Sequence, residues 1–128
     1  MRETKDLQFT KSHEWIDMID DTSAYIGLTD YAQSELGELV FINLPDEGDE
    51  LNMGESMADV ESVKAVSDVF SPVTGVVAEF NEDLLDAPEM VNESPYEAWF
   101  VKAENISELE DLMDEDEYMD FVDKEREE

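Results

Sequence analysis

Between residues 7 and 103 the apolar residues come in short runs, each cut off within a few positions by glycine, proline or a polar turn cluster. That punctuation constrains the fold more than any other feature. A short alternating or apolar run suits a strand, whereas a packed helix needs a longer stretch repeating every three or four residues. Leu7-Gln8-Phe9 and His13-Glu14-Trp15-Ile16 read as short strands. Asp20-Asp21-Thr22-Ser23 reads as a turn, and Ala24-Tyr25-Ile26-Gly27-Leu28 as the strand that returns. Residues 39–44 form a compact apolar run stopped by Pro45, and Gly48-Asp49 and Met53-Gly54 are turn signals. Residues 57–63 and 65–70 are strand candidates on either side of Lys64. Residues 71–80 read as strand, turn, strand; 81–95 read as a polar loop; 99–103 read as a last strand. Many closely spaced short strands point to a mostly β fold, a sandwich or barrel.

Two places break the pattern. Thr29 or Asp30 can cap a short internal helix in which Tyr31, Ala32, Glu35 and Leu36 keep helical spacing, and Gly37 can end it. Near the C-terminus, Ser107 and Glu110 match an S-x-x-E capping box, followed by Leu109, Leu112 and Met113 on one face. Tyr118, Met119, Phe121 and Val122 make a second apolar face. The expectation is one domain over residues 1–128, with a β core at about 7–103 and C-terminal helices at about 107–124.

Thirty-seven acidic residues against seven Lys and Arg give a net charge of −30, spread over both halves of the chain. Phosphate backbones need a basic footprint, so nucleic-acid binding is not expected. Such a charge repels itself, and at ~1 M salt the screening length shrinks to about 3 Å. Adaptation to a salt-rich cytoplasm, and so a halophilic source, is favoured over an ordinary acidic surface. No apolar run approaches the ~18 residues of a membrane span. Met1-Arg2-Glu3-Thr4-Lys5-Asp6 has no apolar signal core, so a cytoplasmic protein is expected. There is no cysteine, which excludes disulfides, thiolate metal sites and a cysteine nucleophile, and the single histidine, His13, leaves little for a metal site.

Lys64 is the residue that most invites chemistry. Its nearest basic neighbours in sequence are Lys11 and Lys102, and it sits between two β-branched segments, at or near the tip of a hairpin. There its long stem would reach into solvent. A turn lysine paired with Glu61 or Asp68 fits the same local pattern. His13 with Glu14 could serve acid–base chemistry in a small acidic hydrolase, although nothing supplies a nucleophile at recognisable spacing. Asp114-Glu115-Asp116-Glu117 lacks the glycine and spaced ligands of a calcium loop and reads as a solvated helix face. Trp15, Trp99 and Phe100 read as core.

Glu61-Ser62-Val63-Lys64-Ala65-Val66-Ser67-Asp68 closely resembles the lipoylation motif of glycine cleavage H proteins. Further blocks similar to that family follow in its order: Ser12-His13-Glu14-Trp15, Gly27-Leu28-Thr29-Asp30-Tyr31-Ala32-Gln33, Leu36-Gly37, Val40-Phe41, Leu44-Pro45, Gly48-Asp49, Ser71-Pro72-Val73-Thr74-Gly75 and Val91-Asn92-Glu93-Ser94-Pro95-Tyr96. The resemblance covers about residues 7–122. It implies a flattened β-barrel or sandwich of the lipoyl/biotinyl type, with a short internal helix and C-terminal helices. It implies a monomeric, non-catalytic carrier with lipoate in amide linkage to Lys64, in the motif of Glu61, Ser62, Val63 and Ala65. The aminomethyl group would pass from the P protein (glycine decarboxylase) to the T protein (aminomethyltransferase). The L protein (dihydrolipoyl dehydrogenase) would reoxidise the dithiol, and a lipoyl-attaching enzyme would install the arm. The resemblance also implies an arm-docking cleft at Ser12, Glu14, Leu28, Glu35, Leu36 and Asp68. Glu35 stands where well-studied members carry histidine, and Glu97-Ala98-Trp99 replaces a Gly-x-Gly-Trp turn. A stand-alone lipoyl donor would share Lys64, and is the alternative within the carrier class.

Overall fold

A computed structural model describes residues 3–127. Within them nine strands form two antiparallel sheets: β1 (Gln8–Phe9), β2 (Glu14–Asp20), β3 (Ser23–Leu28), β4 (Leu39–Asn43), β5 (Glu50–Leu51), β6 (Ser56–Ser62), β7 (Val66–Phe70), β8 (Val73–Phe80) and β9 (Val101–Leu109). The larger sheet runs β1-β2-β3-β9-β8-β5 and the smaller β4-β6-β7. The inward residues of both sheets, among them Ile16, Ile26, Leu39, Ile42, Val60, Val69 and Val73, merge into one buried cluster. This is the sandwich expected from the punctuation, in the flattened form that the resemblance implies. Each fully buried side chain of this kind contributes roughly 1.5–3 kcal/mol relative to exposure.

Helix α1 (Asp30–Leu36) begins where the sequence places it. The Thr29 hydroxyl accepts the Ala32 N–H at 3.2 Å, and Gly37 ends the helix at φ +83°. Two glycines explain local pairings. Gly27 lies opposite Trp15 in the β2–β3 ladder, and a methyl group there would fall 2.7 Å from the indole ring. Gly75 sits inside β8, where a methyl group would meet the Glu104 carbonyl oxygen at 2.7 Å. Residues 73–80 are thus one continuous strand with register shifts, not the expected strand, turn and strand.

The expected loop at 81–95 holds two single-turn helices, α2 (Asp83–Asp86) and α3 (Met90–Glu93). The C-terminal boundary also differs. Ser107, Glu108 and Leu109 are not helical: they extend β9, with Glu108 opposite Thr74 and Leu109 opposite Val73. The ladder offered by the long strand β8 overrides the local capping signal. One helix follows, α4 (Glu115–Glu127), and its box is the next acidic one. The Glu117 N–H donates to Asp114 Oδ1 at 2.8 Å, and the Asp114 N–H donates to Glu117 Oε1 at 3.2 Å.

A second, mostly aromatic cluster of Leu7, Phe9, Trp15, Tyr118 and Val122 fastens α4 to β1 and β2. Phe9 stacks on Tyr118 with ring centroids 4.6 Å apart, and Phe9 bridges to Met113. Tyr118 and Val122 form the buried face of α4, whereas Met119, expected on that face, is exposed. Trp15 and Phe100 are fully buried as expected, while Trp99 is only half-buried, beside Tyr25. No helix among the described residues is long and apolar enough to cross a membrane.

Candidate functional site

The β6–β7 hairpin turns at residues 62–65 and carries Lys64 on its tip. Ser62 builds the turn. Its N–H donates to the Ala65 carbonyl at 2.8 Å, and its hydroxyl oxygen accepts the N–H groups of Lys64 (3.1 Å) and Ala65 (3.0 Å). A serine hydroxyl is short enough to satisfy two amides that a tight turn leaves unpaired. Val63 and Val66 flank the lysine and stand 66% and 69% exposed, so the tip presents apolar side chains to solvent. The lysine pairs with neither Glu61 nor Asp68. Its Nζ donates to the backbone carbonyl of Glu35 at 3.3 Å, at the end of α1.

Beside this contact opens a cavity of about 300 Å³. That volume lies at the lower end of ordinary ligand pockets. Leu28, Leu36, Val60 and Val69 give it apolar walls; Ser12, Glu35, Asp68 and Glu125 give it polar ones. Five of the six expected cleft residues, Ser12, Leu28, Glu35, Leu36 and Asp68, line it together. They come from the β1–β2 loop, the end of β3, α1 and β7, which only the folded sandwich brings to one place.

Glu14 is the exception. It lies behind the wall, 1% exposed, and ties the two sheets together. Its Oε1 accepts the hydroxyls of Ser12 (2.5 Å) and Thr10 (2.7 Å), and its Oε2 accepts the Phe70 N–H at 3.4 Å. Burial raises its pKa, against the opposing pull of the Ser12, Thr10 and Phe70 hydrogen bonds.

His13, Tyr31 and Glu125 also line the cavity, and the sequence did not assign them to it. His13 adopts φ +73°, a region that non-glycine residues seldom occupy. Its Nδ1 meets the Tyr118 hydroxyl at 2.8 Å and its Nε2 meets Glu125 at 2.9 Å. The Tyr118 hydroxyl continues to Thr29 Oγ1 at 2.7 Å. Tyr31 packs against the imidazole on one side, and the Arg126 guanidinium lies 5.2 Å from the Tyr31 ring centroid. Helix α4 is therefore a wall of the cavity. His13 and Glu14 do not act as an acid–base pair, since each is bonded to different groups. A wider polar groove of about 420 Å³ runs beside β4, β5 and β6, past Asn43, Asp49, Glu50 and Asp59, and includes no part of the Lys64 hairpin tip.

The family model described as glycine cleavage H-protein matches residues 7–125. This chain belongs to the glycine cleavage H-protein family. It is similar to the glycine cleavage system H protein of Lachnoclostridium phytofermentans, 61% identical over 127 residues, with 99% of this chain and 100% of that protein covered. The probable glycine cleavage system H protein of Pyrococcus abyssi is 48% identical, with 91% of this chain and 89% of that protein covered. The crystal structure of a glycine cleavage system H protein from Mycobacterium marinum matches with a TM-score of 0.85 at 31% identity, covering 95% of this chain and 98% of that one. As an H-protein family member, the chain serves the glycine cleavage system as a lipoyl carrier and is not an enzyme. The acidic hydrolase considered from His13 and Glu14 is thereby set aside.

Proposed function

We propose that Lys64 is the residue that bears the lipoyl group, in amide linkage at Nζ, and that the adjoining cavity receives the arm. One observation carries this reading: Lys64 stands on a hairpin tip, and its side-chain nitrogen donates to the backbone carbonyl of Glu35, a residue that lines that cavity. The fit is chemical as well as spatial. A lipoyl arm is a thin aliphatic chain with a sulfur ring, and the apolar side chains of Leu28, Leu36, Val60 and Val69 suit it. When bound, it supplies disulfide–dithiol chemistry and carriage of the aminomethyl group. The chain's own residues fix the tip, exclude water from one side of the arm and give the carrier its surface. Ser62 holds the turn that presents Lys64, with Glu61, Val63 and Ala65 around it for an attaching enzyme to read.

The partners in this reading are the P, T and L proteins and the lipoyl-attaching enzyme. Tethering raises the effective concentration of the arm at each of their sites. The working form is a monomer in the cytoplasm, and the −30 charge suits a salt-rich one.

The test is a mass measurement of native protein with peptide mapping, beside Lys64→Arg in a reconstituted glycine decarboxylation assay. A guanidinium is not the amine that forms the amide. The variant should fold normally, accept no lipoate and support no turnover. Lipoate on Lys11 or Lys102, or full activity of the variant, would overturn the assignment.

A further inference from the structure

Lys64 does not hang free from its hairpin. We infer that Gly37 and Asn92 form a seat that positions the Lys64 side chain across the end of α1. The use of that seat in carrying an arm rests on the function proposed above; the seat itself does not.

Three contacts register the tip on the α1–β4 turn. The Val63 N–H donates to the Glu38 carbonyl at 3.1 Å. Lys64 Nζ donates to the Glu35 carbonyl at 3.3 Å, one of the carbonyls that a helix end leaves without an intrahelical partner. Between these two bonds the lysine stem crosses Gly37 so closely that a methyl group there would fall 2.8 Å from Lys64 Cε. A side chain at residue 37 would thus act twice: it would be strained at a φ of +83°, and its Cβ would push the Lys64 stem aside.

The turn under the stem is itself clamped. Asn92, from α3, donates through Nδ2 to the Gly37 carbonyl and to Gln33 Oε1, both at 2.9 Å, and accepts the Leu39 N–H at 2.9 Å through Oδ1. One amide side chain therefore pins both ends of the α1–β4 turn. The Val91-Asn92-Glu93-Ser94-Pro95 stretch, which supplies no residue of the cavity lining, gains a role through this clamp.

The seat sets where the arm begins. Glu35 and Leu36 both line the cavity, so a group attached at Nζ starts at its edge and not in open solvent. Turning the ammonium into an amide removes its charge but leaves one N–H, which is what the Glu35 carbonyl needs. The seat therefore suits the lysine before and after modification.

The experiment measures carbon-13 relaxation at lysine Cε, in native and unmodified protein, alongside an intact mass that reports lipoylation separately. Exposed Lys11 is the internal standard for a free stem. The key pair is Gly37→Ala and Gly54→Ala. Gly54 has nearly the same φ, +85°, but open space where a methyl group would go. Both substitutions put a side chain at a positive φ, and only the one at residue 37 meets Lys64. Asn92→Asp, which loses both donated bonds and keeps the accepted one, covers the case in which Gly37→Ala does not fold. Lys64 Cε should be more ordered than Lys11 Cε in the wild type. That excess order should be lost in Gly37→Ala and Asn92→Asp and kept in Gly54→Ala. A wild-type Lys64 as mobile as Lys11, or equal loosening by Gly54→Ala, would overturn the seat. Seat order without lipoate on Lys64 would overturn the assigned attachment site and leave the seat standing.

Discussion

Tyr118→Phe isolates the contribution of one hydroxyl to the cavity wall. Tyr118 is 3% exposed, and its ring lies on Phe9 at an interplanar angle of 9°, so phenylalanine can keep the stack and nearly all the volume. Burial pushes the hydroxyl's pKa well up, so it stays protonated and can act as a donor throughout the physiological range. The substitution removes two bonds, to His13 Nδ1 at 2.8 Å and to Thr29 Oγ1 at 2.7 Å. At about 1 kcal/mol net for each, the expected loss is about 2 kcal/mol. For 128 residues, an unfolding entropy of about 2.1 cal/mol/K per residue gives about 0.27 kcal/mol/K. The melting temperature should then fall by roughly 7 °C. Calorimetry reads that shift, and urea unfolding with an unchanged m value shows that the denatured state is not responsible. A fall of less than ~2 °C would refute the reasoning, because it would mean that His13 and Thr29 lose nothing when the bridge between α4 and the cavity is cut.

Thermal unfolding should shift to higher temperature between ~0.1 M and ~2 M KCl, since screening relieves the self-repulsion of a −30 chain; an unchanged midpoint would remove the salt argument. Glu14 has a raised pKa, so the folded chain holds that proton more tightly than the unfolded one. Its contribution to stability is full below the ordinary value near 4.5 and declines as pH rises through the raised value. Glu14→Gln should lack that part of the decline, and superimposable pH–stability slopes for the two proteins would contradict it. Asp114→Ala should cost about 1 kcal/mol and speed amide exchange at Glu117, by loss of the reciprocal cap. Unaltered exchange there would place the start of α4 under other control.

Much of the sandwich was legible because its signals are local. Short β-branched runs, turn glycines and the Thr29 cap each act within a few residues, and the hairpin around Lys64 follows from two such runs about a polar turn. What misled was a local signal that tertiary pairing overrides. Ser107-x-x-Glu110 reads as a capping box, but residues 108 and 109 pair with β8, and the box forms instead at Asp114 and Glu117, within the stretch read as a solvated helix face. The helices α2 and α3 span four residues each, too few to show a period. At the site, the resemblance of ordered blocks supplied Ser12, Leu28, Glu35, Leu36 and Asp68, which do converge. It also supplied Glu14, whose neighbours Thr10 and Ser12 turn it inward. The His13–Glu125 contact had no signal to find, since the two positions lie 112 residues apart. Likewise, nothing near Asn92 in sequence points to the turn it clamps.

That long contact has a consequence for the order in which the chain becomes competent. The β6–β7 hairpin turns within residues 62–65, and hairpins of this kind form in about 1–10 μs. The wall on the α4 side must wait for a loop of 112 residues to close, and closure entropy is lost before the contact returns anything. During synthesis the delay is longer, because Glu125 leaves the ribosome 61 positions after Lys64, about 3–12 s at typical elongation rates. The newborn chain thus displays its lysine well before the compartment beside it is complete.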